Sequence, residues 1–323
     1  MGATLSEFIV LVNLPAISKT QQRLQIQLLS EACELRRDYL WACSAPSLMR
    51  AAAASFDSLL TCPATTTVPP GAPSRRRLGL YYEDLVAALL KDTLAPEPIH
   101  RNVQCVQGGI TAGEFDFLYR SAGQWFHLET AVKFYLCCGD GSALSDFVGP
   151  GRRDRLDIKW QRLQQHQLAL ASHPAGKATL DRLGIELPQP RLLMPGYLFY
   201  RAGQNRLSSA LHPDISAEHL RGWWLPLGEL ERLHTGTEHR YALVPKLGWL
   251  PPARREHSDT LNWRGLRAHL LQQPGPILVA QLSRFNLEGA PCWGETGRGF
   301  VVPDDWDHHP VQLKSRARAQ PIG

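Results

Sequence analysis

Alternation of apolar and polar side chains in two consecutive segments constrains this sequence most. In residues 113–119 the apolar face holds Phe115, Phe117 and Tyr119, and the opposite face holds Glu114, Asp116 and Leu118. In residues 125–136 one face holds Phe126, Leu128, Val132, Phe134 and Leu136, and the other holds His127, Glu129, Ala131, Lys133 and Tyr135. Such period-two alternation predicts two β-strands. The short turn at residues 121–123 predicts that they pair as an antiparallel hairpin.

The predicted hairpin brings acidic side chains together. If the apolar faces of the two strands share the core, Asp116 and Glu129 meet on the opposite face. Neighbouring carboxylates repel each other, and a hard divalent cation relieves that repulsion because it prefers carboxylate oxygen. The pattern therefore predicts a site for Mg²⁺ or Mn²⁺, which can activate water for attack on a phosphodiester. The alternative is that both acids are solvated on an open sheet face.

The surrounding pattern predicts an α/β fold. Helices are expected at residues 78–94 and 152–172, strands at 99–106, 113–119, 125–136 and 192–200, and a glycine-rich loop at 138–151. Outside this core, residues 21–43, 220–233 and 261–272 are predicted helices and 277–282 a strand. The predicted organisation is a helical N-terminal segment (1–61), a linker (62–77), the core (78–200), an α+β C-terminal region (201–303) and a loose tail (304–323).

Basic residues accompany the second core helix. Arg155, Lys159 and Arg162 recur at helical spacing, and Arg152 and Arg153 precede them beside a Gly-Pro-Gly turn. Cations and free N–H groups at a helix start can hold the phosphates of a nucleic acid. The alternative is an ordinary solvated helix face. The net charge of +5 permits a polyanionic partner without requiring one.

The order helix, three strands, helix, strand resembles the catalytic core of PD-(D/E)XK nucleases, which have the restriction-endonuclease-like fold. In that superfamily an acid on the second strand, and an acid and a lysine on the third, bind metal and position water. An acid on the first helix often joins them. The resemblance implies that Mg²⁺ or Mn²⁺ is held by Asp116, Glu129 and Glu83, with Asp116, Glu129 and Lys133 as the catalytic residues.

The lysine departs from the superfamily pattern. The superfamily places it two residues after the glutamate, where this sequence has Ala131. Lys133 stands two residues further on, which separates it from Glu129 by about 13 Å along a regular strand. A long side chain or a bulge can shorten that separation.

Three blocks resemble an uncharacterised bacterial family known as DUF 1853, itself thought to be a distant branch of the same superfamily. They are GEFDFL at 113–118, ETAVKFYL at 129–136 and FVGPGRRDRLD at 147–157. The resemblance implies a metal-dependent nuclease acting on DNA or RNA. One alternative is a catalytically silent nucleic-acid-binding or protein-interaction module, and another is metal-dependent chemistry on a small phosphorylated molecule.

The cysteines and the hydropathy pattern predict a location. None of the seven cysteines forms a CxxC pair, which is typical of a reduced protein. No apolar run is long enough to span a bilayer. We expect a cytoplasmic protein that does not enter the membrane.

Overall fold

The computed structural model describes residues 19–50, 77–95, 97–203, 211–234, 239–287, 290–308 and 311–312. The α-helices in these ranges are α1 Lys19–Ser30, α2 Glu34–Ser44, α3 Leu78–Leu94, α4 Leu156–Arg162, α5 Pro174–Leu183 and α6 Trp263–Leu270. The strands are β1 Ile99–Gln107, β2 Ile110–Ser121, β3 Gln124–Thr130, β4 Lys133–Cys137, β5 Phe147–Val148, β6 Gln189–Leu193, β7 Gly196–Arg201, β8 Leu220–Pro226, β9 Arg240–Leu243, β10 Arg254–Arg255, β11 Ile277–Leu287 and β12 Ala290–Val302.

These strands form two sheets. The first has four strands in the order β1-β2-β3-β6, with antiparallel pairs except for the parallel pair β3–β6. The second has eight strands, ordered β5-β4-β7-β8-β12-β11-β9, with β10 paired to β12. The predicted α/β fold with a mixed sheet is confirmed, and so is the antiparallel pairing of β2 with β3.

The chain passes between the two sheets at two neighbouring points. Strand β3 ends at Thr130 and β4 begins at Lys133, while β6 ends at Leu193 and β7 begins at Gly196. Both pairs, β3–β6 and β4–β7, are parallel, so two adjacent strands leave one sheet and enter the other together. Hydrogen bonds continue across the break, from the N–H of Ala131 to the Leu193 carbonyl (2.9 Å) and from the N–H of Lys133 to the Pro195 carbonyl (3.0 Å).

The predictions of one strand over 125–136 and one over 192–200 are therefore wrong, because each segment forms two strands in different sheets. Gly196 marks the crossing. Its φ of +148° is in the region that favours glycine, and a Cβ there would lie 1.7 Å from the Lys133 carbonyl oxygen. Phe134 packs in the same core as Phe126 and Leu128, so the sequence alternation runs through the crossing without a visible interruption.

Three predicted helices differ from the structure. Residues 21–43 form two helices, α1 and α2, separated at 31–33. The helix predicted from 152 begins at Leu156, and after α4 it continues as a π-helical turn, Leu163–Gln167, and a 3₁₀ turn, Leu170–Ser172. The predicted helix at 220–233 is strand β8 followed by a 3₁₀ helix, Leu227–Leu233.

The sequence of strand β8 shows no alternation of apolar and polar residues because both faces of the strand are buried. Trp223 and Trp224 are almost fully buried and belong to two different hydrophobic clusters, one on each side of the sheet. A strand buried on both faces shows a continuous apolar run rather than alternation. Both tryptophans therefore belong to the hydrophobic core.

One core joins distant parts of the chain. Trp41 of α2 packs edge-on against Tyr82 of α3, with ring centroids 6.2 Å apart, and stacks on Tyr197 of β7 at 6.3 Å. Phe300 of β12 lies in the same cluster. Strands from both sides of the predicted boundary at residue 200 therefore share one sheet and one core. Residues 1–18, 51–76 and 313–323, which include most of the predicted linker and tail, lie outside the described residues.

A buried ion pair stabilises strand β12. The guanidinium of Arg298 donates to the Glu295 carboxylate at 2.5 and 2.9 Å, and the two side chains are only 2% and 4% exposed. Arg298 also donates to the Pro251 carbonyl at 2.6 Å, and Glu295 accepts from the N–H of Ala253 at 2.7 Å. Burial lowers the pKa of Arg298, but the charges of Glu295 and Tyr197 and the hydrogen bonds to Glu295 together outweigh burial, and the net shift is upward. Every charge in this pair therefore has a partner.

Among the described residues, no helix combines the length and the apolar character needed to cross a membrane.

Candidate carboxylate site

Asp116 lies where the β2–β3 ladder ends. The last paired residues are Phe117 and Leu128. Beyond them, the Asp116 carboxylate accepts hydrogen bonds from Thr130, at 2.8 Å from its backbone N–H and 3.3 Å from its hydroxyl. On the other side of β2, Asn102 has a positive φ of 53° and the β1–β2 ladder omits it. A side-chain hydrogen bond thus replaces a ladder bond and keeps Asp116 close to β3.

This irregularity also divides the predicted apolar face. Phe117 and Tyr119 pack in the main core, as expected from their alternation. Phe115 instead packs in a separate cluster with Leu118. The prediction that these three aromatic residues share one face is wrong for Phe115, because the strand is irregular at the intervening Asp116.

Glu129 is a fully buried carboxylate held on both oxygens. One oxygen lies 2.8 Å from Nε2 of His127, and the other accepts from the Gln167 side-chain amide at 2.5 Å. The His127 ring is itself fully buried and packs edge-to-face on Phe115, with centroids 4.6 Å apart. Burying a carboxylate is costly unless it is hydrogen-bonded. The two donors therefore fix Glu129 in a single orientation.

Three acids lie close enough to interact electrostatically. Burial raises the pKa of Asp116 to about 7, the charge of Glu129 adds to the rise, and the Thr130 hydrogen bonds oppose it. Glu83 on α3 also raises the pKa of Asp116. Burial raises the pKa of Glu83 as well, against the influence of Arg101, which lies 3.9 Å from it. We call Glu83, Asp116 and Glu129 the carboxylate cluster.

The two lysines near the cluster are held differently. The Lys133 ammonium lies 2.6 Å from the Asp154 carboxylate, which also accepts from the Tyr135 hydroxyl at 3.2 Å. The half-buried Lys159 ammonium donates to the Gln167 side-chain oxygen at 2.9 Å. Burial and the charge of Lys133 lower the pKa of Lys159 to about 8, while Glu129 and Asp116 raise it. Lys159 therefore interacts electrostatically with the carboxylate cluster.

The predicted nucleic-acid-binding residues do not form one exposed stripe. Arg153 and Arg162 are exposed. Arg155 instead donates twice to Asp157 of its own helix, at 2.7 and 2.9 Å. Arg152, with a positive φ of 52°, places its guanidinium 4.8 Å from the ring centre of Trp306. Together with the inward position of Lys159, this leaves Arg153 and Arg162 as the members of the predicted set most open to solvent.

Sequence reasoning missed Gln167. It lies in the π-helical turn after α4 and touches both Glu129 and Lys159. The usable signal was its spacing, since a residue eight positions after Lys159 lies about two helical turns further along one face. The sequence gives no sign of the π turn itself, which sets how far Gln167 projects.

The carboxylate cluster offers oxygen atoms, which a small, hard cation prefers. In the described part of the chain, no three His, Cys, Asp or Glu side chains converge as ligands for one metal ion. Mg²⁺, however, is commonly held by one or two carboxylates while it retains several waters. The pKa of Asp116 is raised mainly by burial and secondarily by the charge of Glu129, and a bound cation would favour the ionised carboxylate. The carboxylate oxygens of Asp116 and Glu129 are of the type that Mg²⁺ and Mn²⁺ prefer, and Glu83 lies nearby.

The raised pKa of Asp116 predicts a pH-dependent cost. The pKa of Asp116 is about 7 in the folded state and 3.8 ordinarily. The protonated carboxyl therefore makes its full contribution to the free energy of unfolding at low pH, and this contribution is lost as the pH rises from 3.8 to about 7. We expect Asp116→Asn, measured in EDTA, to unfold with a free energy at least ~1 kcal/mol higher than wild type at pH 8. Asparagine keeps an oxygen for Thr130, and the gain should vanish at pH 4.

Urea denaturation at both pH values tests this expectation. Asp181→Asn, at an exposed position on α5, is the matched control and should change stability by less than ~0.5 kcal/mol at either pH. An Asp116→Asn variant no more stable than wild type at pH 8 would show that the carboxylate carries no burial penalty.

The protein has a mixed α/β fold and a partly buried carboxylate cluster with Lys159 close to it. The chain is a member of the family described as Domain of unknown function (DUF1853), which matches residues 37–302. The match covers α3, all the strands and the whole carboxylate cluster. No curated protein and no solved structure matches the chain.

Proposed function

We propose that this protein is a metal-dependent nuclease that hydrolyses phosphodiester bonds in DNA or RNA with Mg²⁺ or Mn²⁺. The observation that carries the proposal is the proximity of Asp116 and Glu129 on adjacent antiparallel strands, in a partly buried site with Lys159 close by. Perturbed pKa values arising from burial and from neighbouring charges are concentrated at functional sites.

The order of elements supports a restriction-endonuclease-like core. Helix α3 precedes β1, β2 and β3, and helices α4 and α5 precede β6. The four strands lie side by side in the order β1-β2-β3-β6, with the last strand parallel to the third. This arrangement agrees with the helix, three strands, helix, strand order of PD-(D/E)XK nucleases. Strands β4 and β5, inserted between β3 and α4, belong to the other sheet.

The proposed reaction is hydrolysis by water. The water oxygen forms a bond to phosphorus, one bridging P–O bond breaks, and the proton released from water is balanced by protonation of the departing oxygen. A bound Mg²⁺ or Mn²⁺ supplies a Lewis acid and lowers the pKa of its water. Asp116 and Glu129 would hold that ion, with Glu83 beside them. His127 and Gln167 orient Glu129, since each bonds one of its oxygens.

The exposed cations before α4 and at its C-terminal end would bind the substrate. Arg153 and Arg162 are free to approach phosphates from solvent, which positions a nucleic acid without reading its sequence. The six free cysteines in the described ranges agree with a reducing compartment, and a cytoplasmic location is part of the proposal.

A catalytically silent nucleic-acid-binding or protein-interaction module is the second candidate. It is favoured by Lys133, whose ammonium is paired with Asp154 rather than with a cluster carboxylate. In the superfamily pattern this lysine belongs to the catalytic group.

Cleavage assays on the full chain separate the two candidates. We expect wild-type protein with Mg²⁺ or Mn²⁺ to cut at least one of single- and double-stranded DNA and RNA, and EDTA to abolish the cutting. Gel analysis of labelled substrates measures this. Salt-dependent binding without cleavage under any of these conditions would favour the silent module and contradict the nuclease proposal.

A further inference from the structure

We propose that Lys159 of α4, and not Lys133, supplies the ammonium group beside the scissile phosphate, and that Gln167 positions it against the carboxylate cluster. The inference rests on the proposed nuclease function. It gives a role to a lysine that sequence reasoning placed among the outer nucleic-acid contacts, and it places the catalytic lysine on a helix instead of on the strand of Glu129.

The two lysines differ in what their ammonium groups face. Lys133 lies on β4 of the eight-stranded sheet, and its ammonium is 2.6 Å from Asp154, a carboxylate outside the cluster. Lys159 bonds no carboxylate among the described residues, and its ammonium donates to the neutral Gln167 amide. An ammonium paired with a carboxylate is largely neutralised, so it stabilises negative charge on a phosphate less than an ammonium held by a neutral acceptor does.

Gln167 connects Lys159 to the cluster. Its side-chain oxygen accepts from Lys159 at 2.9 Å, and its nitrogen donates to Glu129 at 2.5 Å. A single amide group thus spans the ammonium and the carboxylate and fixes the distance between them. Because Gln167 lies in a π-helical turn, its direction differs from that of a regular helix, and such turns occur often at functional sites.

Desolvation strengthens the proposed role. Lys159 is half-buried, so its charge is less screened by water than that of a fully exposed lysine. A fixed ammonium in such a place can stabilise negative charge on the phosphate oxygens as it develops, without forming a bond of its own. The step requires no co-reactant beyond the water and metal of the proposed function.

Lysine-to-methionine variants test the assignment, since methionine retains an apolar stem and loses the ammonium group with its charge and its N–H donors. We expect Lys159→Met to lower kcat for cleavage on the order of a hundredfold or more, with KM changed less than about threefold. Lys159→Arg should recover part of the loss because it restores a cation. Lys133→Met should lower kcat less than about tenfold, and Lys177→Met, at an exposed position on α5, is the matched control.

Two further measurements separate positioning from folding. Gln167→Leu should lower kcat with little change in KM, and thermal melting should show that Lys159→Met and Gln167→Leu remain folded. Acetic-anhydride labelling read by mass spectrometry should show that a DNA or RNA oligonucleotide with Ca²⁺ protects Lys159 more than Lys177.

Each contrary result has a distinct meaning. Wild-type cleavage with an equally active Lys159→Met overturns the inference and leaves the nuclease proposal standing. A larger loss in Lys133→Met than in Lys159→Met returns the catalytic role to the strand lysine. Wild-type protein that cuts nothing overturns the nuclease proposal, and this inference with it.

Discussion

Replacing Glu129 with glutamine is expected to lower cleavage on the order of a hundredfold or more, because one change removes both a charge and a metal ligand. Glu129 is fully buried and its oxygens are bonded by His127 and Gln167, so no neighbouring acid can move into its place without breaking those bonds. The amide nitrogen of the new glutamine must also lie against the nitrogen of either His127 or Gln167, where Glu129 has an oxygen. That lost hydrogen bond should cost about 1–3 kcal/mol in stability. Steady-state kinetics, calorimetric Mn²⁺ titration and thermal melting measure the three effects.

Glu186→Gln, an equally conservative change at an exposed position, is the control and should match wild type in all three measurements. If Glu129→Gln is folded and binds Mn²⁺ as tightly as wild type, Glu129 is a structural acid. The proposal that the carboxylate cluster binds a metal ion through Glu129 would then be wrong.

Glu295→Gln is expected to destabilise the protein by roughly 3–5 kcal/mol, since it leaves the buried Arg298 guanidinium without a compensating charge. Arg298 is 2% exposed and cannot reach solvent from the middle of β12. Its remaining acceptors are neutral backbone carbonyls, among them that of Pro251. Urea denaturation should show a lower midpoint with an unchanged slope.

The comparison for this change is Glu231→Gln, which breaks the exposed pair of Arg267 and Glu231, 3.8 Å apart. That pair is more than half exposed on both sides and should contribute less than ~1 kcal/mol. A loss below ~1 kcal/mol in Glu295→Gln would mean that water or a rearranged side chain compensates Arg298.

The part of the fold predicted from sequence is the part whose strands have one apolar face and one partly polar face. In β2 and β3 the polar side chains alternate with the apolar ones even where both are buried, so the hairpin is correctly predicted. The same alternation concealed the break at Ala131 and Val132, because the apolar face of β4 continues that of β3 in the same core. Strand β8, buried on both faces, carried no period at all.

The site was predicted to a similar degree. Asp116 and Glu129 lie close together, as the turn and the alternation predict, although the ladder ends one residue before them. Glu83 reaches the same cluster, as its electrostatic interaction with Asp116 shows. Lys133 was assigned to the strand of Glu129 and lies in another sheet. The inward direction of Lys159 and the contacts of Gln167 depend on where α4 stops being an α-helix, which no residue pattern in 156–167 reveals.

The paired crossing of strands between the sheets has a mechanical consequence. A single connecting strand lets two sheets twist about it, whereas β3–β4 and β6–β7 cross side by side, with hydrogen bonds on both sides of the bend. Glu129 stands just before this corner and Lys133 just after it. This paired crossing is rigid, so the backbone sets the spacing between the acids of one sheet and the Lys133–Asp154 pair of the other. A substitution at Gly196 that disrupts the crossing would alter that spacing without changing any of these side chains.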